Sequence, residues 1–204
     1  MRRPLHGVTE GGNAPGSYGS VTRYLLACAA CGSTPVLRME GDSKVGVSFG
    51  NAAYEQPRSV GSISLCLTEA GTATITSAAI HGAAGDIRVE AFAVRPNPFA
   101  RGLDAVGAES RTLVEIDSGF DPGAVQQVSA VCPAEGQMDD ESVTSLIPEF
   151  AVQVSWSSGD LAGGDGIDVN YEINGSQHTA LVPFAIWVCR SECPRSLPNG
   201  GVGS

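Results

Sequence analysis

The chain is nearly without lysine: Lys44 is the only one among 204 residues, and the rest of its basic charge is arginine. Twelve basic residues stand against 22 acidic ones, a formal net charge of −10. Phosphate backbones and anionic bilayers are gripped by basic faces, so this balance excludes nucleic acid as a partner and membrane adsorption by charge alone. Long apolar runs are also missing. None approaches the ~18 residues of a helix that crosses a bilayer. No repeat of about 20–50 residues recurs, which excludes a solenoid or a propeller. Convincing amphipathic helices are absent, in keeping with 26 Gly and 12 Pro. What is present is a 42% hydrophobic chain with only 17% charged residues, apolar enough to bury a core.

The apolar residues fall in short runs separated by turn residues. In Ile167, Val169, Tyr171 and Ile173 they alternate with Asp168, Asn170, Glu172 and Asn174, which is strand periodicity with one apolar face. Asn174-Gly175 follows, a strong signal for a two-residue hairpin because both central residues need positive φ. That loop sets a register: Ile173 opposite Ser176, Tyr171 opposite His178, Val169 opposite Ala180 and Ile167 opposite Val182. The return strand reads from Ser176 to Cys189. Phe150, Val152, Val154 and Trp156 share one face of another strand. Further strands are expected at Ser62–Leu67, Ala73–Ile80, Ile87–Val94, Arg111–Ile116 and Val125–Cys132, with short ones near Val36–Met39 and Lys44–Phe49. A count of about seven or eight main strands predicts an all-β, antiparallel β-sandwich of immunoglobulin-like type. The expected organisation is a leader or disordered tail over 1–31, a linker over 32–58, the sandwich over 59–193 and a flexible tail over 194–204.

Six cysteines divide into two groups. Cys66, Cys132, Cys189 and Cys193 are spread over the strand-rich body, where two disulfides and an oxidising compartment are expected. Three pairings are possible. Closure of Cys189 on Cys193 requires a sharp turn through Arg190–Glu192, so the favoured expectation ties each of them to an earlier strand. Cys28 and Cys31 end the segment Arg23-Tyr24-Leu25-Leu26-Ala27-Cys28-Ala29-Ala30-Cys31-Gly32-Ser33. A positive residue, a short apolar core and small residues before a cysteine are the order of a secretion signal. The end of this segment resembles a bacterial lipoprotein lipobox. The resemblance implies lipidation of Cys31, with Cys28 as the alternative, and so a lipid anchor. A redox Cys-x-x-Cys needs a strand before it and a helix after it, and a zinc site needs a second ligand pair. Neither context surrounds Cys28.

Four patterns bear on chemistry. Gly46-Val47-Ser48-Phe49-Gly50 matches a nucleophile elbow, with His81 or His178 as base, but Pro57 soon stops any helix after it. Gly163-Gly164-Asp165-Gly166-Ile167-Asp168 matches one copy of a calcium-binding repeat, making Asp160, Asp165 and Asp168 weak calcium candidates. Asp139-Asp140-Glu141 reads as a solvated loop. Trp156, Trp187, Tyr171 and Phe184 could floor a sugar platform, but strand parity sends all except Trp187 to the core.

The "AVRPNPF" run at Ala93–Phe99, Gly119-Phe120, the early-strand Cys66 and the closing Tyr171–Cys189 segment resemble secreted proteins and lipoproteins of actinobacterial type. The resemblance covers roughly residues 59–193. It implies an extracytoplasmic, immunoglobulin-like sandwich and no particular reaction. The expectation is therefore an exported or lipid-anchored cell-envelope module that binds or supports, with an unidentified protein or an envelope glycan as partner. A carbohydrate- or ligand-binding accessory domain is the second reading and a hydrolase the third, because no nucleophile–base–orienter set assembles. No catalytic residue and no cofactor is expected.

Overall fold

The computed structural model describes residues 34–39, 45–116, 119–134 and 146–194. Twelve strands occur in it: β1 (Leu37–Met39), β2 (Val45–Phe49), β3 (Arg58–Leu67), β4 (Ala73–His81), β5 (Ile87–Arg95), β6 (Ala108–Glu109), β7 (Gln126–Val128), β8 (Glu149–Trp156), β9 (Leu161–Gly164), β10 (Gly166–Ile173), β11 (Ser176–Val182) and β12 (Phe184–Cys189). The only helical element among the described residues is a 3-10 turn, Phe99–Arg101. The protein is all-β, and its antiparallel sheets are those of a sandwich. One sheet runs β1-β3-β8-β5 with β6 also on β3, a second runs β11-β10-β4-β7, and a third runs β2-β12-β9. Of these pairings only β2 with β12 is parallel. Three sheets replace the two of an immunoglobulin domain, so the sandwich carries no assignment to that type.

The hairpin forms in the expected register, with Tyr171 opposite His178 and Ile167 opposite Val182. Asn174 and Gly175 take φ of 52° and 79°, as the two-residue turn requires. The return strand, however, does not run unbroken to Cys189. Pro183 has no N–H to continue the ladder. β11 stays on β10, while β12 becomes the centre of the third sheet, between β2 and β9. A central strand buries both faces, which is why Trp187 is as buried as Ile186 despite its opposite parity. The segment expected as a linker supplies β1 and β2, each paired into a sheet.

The main core gathers Ile63, Leu65, Val152, Trp156, Val169 and Ile186 with their neighbours from all three sheets. A second, smaller core of Ala93, Val106, Leu113, Ile116, Phe120 and Ala151 lies on the other side of β5 and β8. The expected strand Arg111–Ile116 is a turn within it. Thr112 and Glu115 make the reason clear: Glu115 Oε2 accepts from the Thr112 amide at 2.8 Å and from its hydroxyl at 2.9 Å. This is the T-x-x-E capping arrangement, which bends the chain and points Leu113 and Ile116 at the sheet. The expected strand Val125–Cys132 shrinks to β7, because its second half leaves β4 to pair with the end of β3.

Glu149, at the start of β8, is buried with Arg95 from β5. Its Oε2 takes Arg95 Nε at 2.7 Å and Nη2 at 2.5 Å. Its Oε1 accepts the amides of Ser62 at 2.6 Å and Val106 at 2.9 Å. Ser62 sits at φ 58° in the bulge that interrupts β3. Gly61 makes the approach possible, since a Cβ there would stand 2.6 Å from Glu149 Oε1. Removing one partner of a buried pair leaves the other charge uncompensated. We therefore expect Glu149→Ala to cost roughly 3–5 kcal/mol in urea unfolding. Glu149→Gln, which keeps an acceptor for the two amides, should cost measurably less.

Candidate functional site

The outer face of β5 and β8 carries a polar cleft of about 270 Å³, lined by Glu55, Pro57, Arg88, Glu90, Thr112, Gln153 and Ser155. Strand parity puts Arg88 and Glu90 on that face, and a bulge between Val89 and Ala91 seats Ala91, not Glu90, opposite Gln153. Glu90 is thus the extra residue of the bulge, with no residue directly opposite it in the β8 register. Glu55 reaches the same cleft from the turn after β2, at φ 57°.

The charges interlock. Arg88 donates from Nε to Glu90 Oε1 at 2.5 Å and from Nη2 to Glu55 at 2.9 Å. Ser155 donates to Glu90 Oε1 at 2.5 Å. The Ser155 hydrogen bond foremost, with Arg88 beside it, holds the Glu90 carboxyl below the usual carboxylate range. The hydrogen bond that Arg88 donates to Glu90, and then the Glu90 charge, raises the Arg88 pKa. Next to the cleft, the Thr112 amide lowers Glu115 in the same way. Gln153 Oε1 accepts the Leu113 amide at 3.1 Å, so its NH2 group is the free end. The cleft thereby offers ionised acceptors, hydroxyls, an amide and a guanidinium within a few ångströms.

Tyr54, beside Glu55, is the aromatic residue nearest in the chain. Its ring packs against Trp156, with centroids 4.8 Å apart and planes tilted by 55°, and the Arg190 guanidinium lies over it at 5.2 Å. Trp156 itself donates from Nε1 to the Ala53 carbonyl at 3.1 Å. A second concavity, of about 500 Å³, runs along the extended segment whose outward residues are Val125, Gln127, Ser129 and Val131. Leu146, 74% exposed, closes one side of it. Elsewhere Arg58 is buried, with Nη2 on Gln56 at 3.0 Å and its guanidinium 5.7 Å from the Phe49 ring. Among the described residues its Nε and Nη1 have no hydrogen-bond partner, and burial pushes its pKa down.

The residues singled out in the sequence are distributed differently. Cys66 bridges Cys132 across Cα atoms 5.0 Å apart, and Cys189 bridges Cys193 at 5.3 Å. The expectation that Cys189 and Cys193 each reach an earlier strand is corrected. The chain turns after β12 because the Arg190 amide bonds Asp160 and the Ser191 carbonyl bonds Asn51. Cys132 meets Cys66 because the Leu67 backbone pairs with Ala130 and Cys132. Ser48 lies on β2, opposite Trp187 in the pairing with β12, and among the described residues no hydrogen bond joins it to a histidine. His81 instead bonds Asp168 at 3.0 Å, and His178 stacks on Tyr171. Asp168 thereby has His81 as its partner. Among the described residues no three His, Cys, Asp or Glu gather as a metal site. Trp156, Trp187, Tyr171 and Phe184 are all buried, so no platform forms from them. Cys28, Cys31 and Asp139-Asp140-Glu141 lie outside the described residues.

The cleft residues were invisible in the sequence, apart from the T-x-x-E spacing of Thr112 and Glu115. Because Glu90 is held ionised by Ser155, its folded-state pKa is depressed. The associated stability is present above the unfolded carboxylate range and is lost as pH falls through the lower, folded value. Ser155→Ala should raise the Glu90 titration midpoint in a carboxyl NMR titration and move the acid-side loss of stability to higher pH. An unchanged midpoint would remove Ser155 as the cause. No family model matches this chain, and no curated protein matches it either.

Proposed function

We propose that this chain is an exported binding module whose outer cleft recognises a hydroxyl-rich ligand, an envelope glycan being the class that fits best. The observation that carries the reading is the convergence of Arg88, Glu90, Gln153 and Ser155 on one open concavity. Sugar hydroxyls both donate and accept. Carboxylates take their protons, while a guanidinium, an amide NH2 and hydroxyls meet their oxygens. The interlocked charges hold these groups in place before a ligand arrives, which reduces the ordering cost of binding. Recognition would proceed mainly through polar groups, since Trp156 and Arg190 already pack against the Tyr54 ring.

Two disulfides support an oxidising location. The lipobox-like segment ending at Cys31 supports a lipid anchor there, or at Cys28. Intact-mass analysis of the protein from the membrane fraction tests this part. A lipid mass on a chain beginning at either cysteine is expected. Retention of Met1 with unmodified Cys31 would remove the anchor.

For the cleft, NMR titration with soluble oligosaccharides from a bacterial cell envelope should shift the Arg88 Nε–H and Gln153 side-chain resonances. Arg88→Ala and Gln153→Ala should each weaken binding about tenfold or more, which corresponds to ~1.4 kcal/mol. Binding that is indifferent to both variants, or no binding, rejects the cleft as a glycan site.

A further inference from the structure

We infer that the outer edge of β11 is a self-association surface, where a second copy of this chain pairs its own β11 antiparallel about a two-fold axis at Thr179. The inference does not rest on the cleft reading.

A hairpin closed by a two-residue turn starts with a hydrogen-bonded pair, and such pairs then alternate with non-hydrogen-bonded ones. Ile173 and Ser176 are the closing pair here, so Ser176, His178, Ala180 and Val182 turn their backbone groups towards β10. Gln177, Thr179 and Leu181 point theirs the other way. β11 is the terminal strand of its sheet, and no hydrogen bond among the described residues takes the N–H or C=O of these three. All three are exposed, Leu181 by 51%. β1 approaches β11 across the sandwich, but its ladder is with β3. A row of donors and acceptors thus stands open.

Edges of this kind invite another strand, and folded proteins blunt them with charges, prolines, bulges or short length. β5, the other long terminal strand, shows these devices. It carries Arg88, Glu90 and Arg95, it bulges at Glu90, and its Val94 amide is taken by Gln126 Oε1 at 2.6 Å. β1 and β7 have only three residues each. β11 has none of these protections. Its sequence, Ser-Gln-His-Thr-Ala-Leu-Val, holds no carboxylate, lysine, arginine or proline, and it pairs with β10 from Ser176 to Val182 without a bulge.

What fits such an edge is a polypeptide backbone, because it repeats donors and acceptors at strand spacing. Charge selects a second copy as the occupant. The chain carries −10 overall, so copies repel one another wherever acidic faces meet, yet β11 brings no formal charge to the contact. In the two-fold register Thr179 lies opposite Thr179 of the second copy, and Gln177 lies opposite its Leu181. Every open N–H of these residues then meets an open C=O, whereas a shifted register leaves groups at each end unpaired. On the outer face the row Asp168, Leu181 continues through the second copy's Gln177 and Glu172. Those two carboxylates stand three strand spacings apart, about 14 Å, beyond the ~8 Å screening length of physiological salt. Asp168 also keeps His81, and Glu172 keeps Gln177 of its own chain. Each copy has one β11, so the association closes at two. A contact confined to one strand edge falls below the roughly 1,200 Å² of standard stable interfaces, so the dimer is reversible.

Sedimentation velocity of the full chain from about 1 µM to about 1 mM should show a monomer passing into a dimer. Over the same range the amides of Gln177, Thr179 and Leu181 should exchange hydrogen about tenfold more slowly or better, while those of His178 and Ala180 stay protected throughout. Thr179→Lys sets two like charges on the axis and should weaken the dimer about tenfold or more, as should Thr179→Glu. An equimolar mixture of the two variants should restore it, because these positions face each other in this register. A chain that stays monomeric, one that grows past the dimer, or a dimer whose three edge amides exchange as in the monomer overturns the inference. So does a mixture that associates no better than either variant alone. The exchange measurement on the unaltered chain decides the matter even where a variant fails to fold.

Discussion

The Glu149 carboxylate is the interaction on which the irregular half of this protein depends. A buried carboxylate costs several kcal/mol in lost hydration, and only a full set of donors offsets that. Here Arg95 supplies two and the amides of Ser62 and Val106 supply the others. Each donor belongs to a different kind of structure: a strand, a bulge and a loop. The carboxylate therefore joins β5, the interruption of β3 and the segment that enters the second core. Arg95 extends the connection, for its guanidinium lies 4.6 Å from the Phe120 ring and its Nη2 reaches the Asp104 carbonyl. That anchor acts together with the second apolar core, the β6–β3 pairing and the Gln153–Leu113 hydrogen bond, which lay the segment carrying Thr112 against β5 and β8.

This gives two runs of the sequence a physical meaning. Arg95 lies inside Ala93–Phe99, and Phe120 belongs to Gly119-Phe120. In the same run Asn97 donates to the Ile147 carbonyl at 3.0 Å, leading the chain into β8. These runs meet at the buried ion pair and so maintain the fold. The cleft lies apart from them, on residues with no evident sequence signature. A scaffold held by a buried network and a site on its outer face can vary independently.

The stretches read correctly were those whose information is local. The alternation of Ile167–Ile173, the positive-φ pair Asn174-Gly175 and the apolar face of Phe150–Trp156 are each decided by neighbours in the chain. The stretches read differently failed at identifiable residues. Pro183 splits one expected strand between two sheets, and Thr112 with Glu115 turns another into a capped bend. Both signals were present in the sequence but were outweighed by apolar alternation.

What the sequence alone determined is the strand content, the hairpin register, the supply of four body cysteines and the net negative charge. All follow from periodicity, turn chemistry and composition, which need no knowledge of distant contacts. Only the tertiary structure decided which cysteines pair, that β12 is buried on both faces, that Glu149 meets Arg95, and that Glu55, Arg88, Glu90 and Ser155 share a cleft. Apart from the Cys189–Cys193 bridge and the Arg88–Glu90 pair, those outcomes join residues tens of positions apart. The Glu149 and Glu90 arrangements depend on bulges at Ser62 and Glu90 that shift strand parity by one residue, and a one-residue shift exchanges the two faces of a strand.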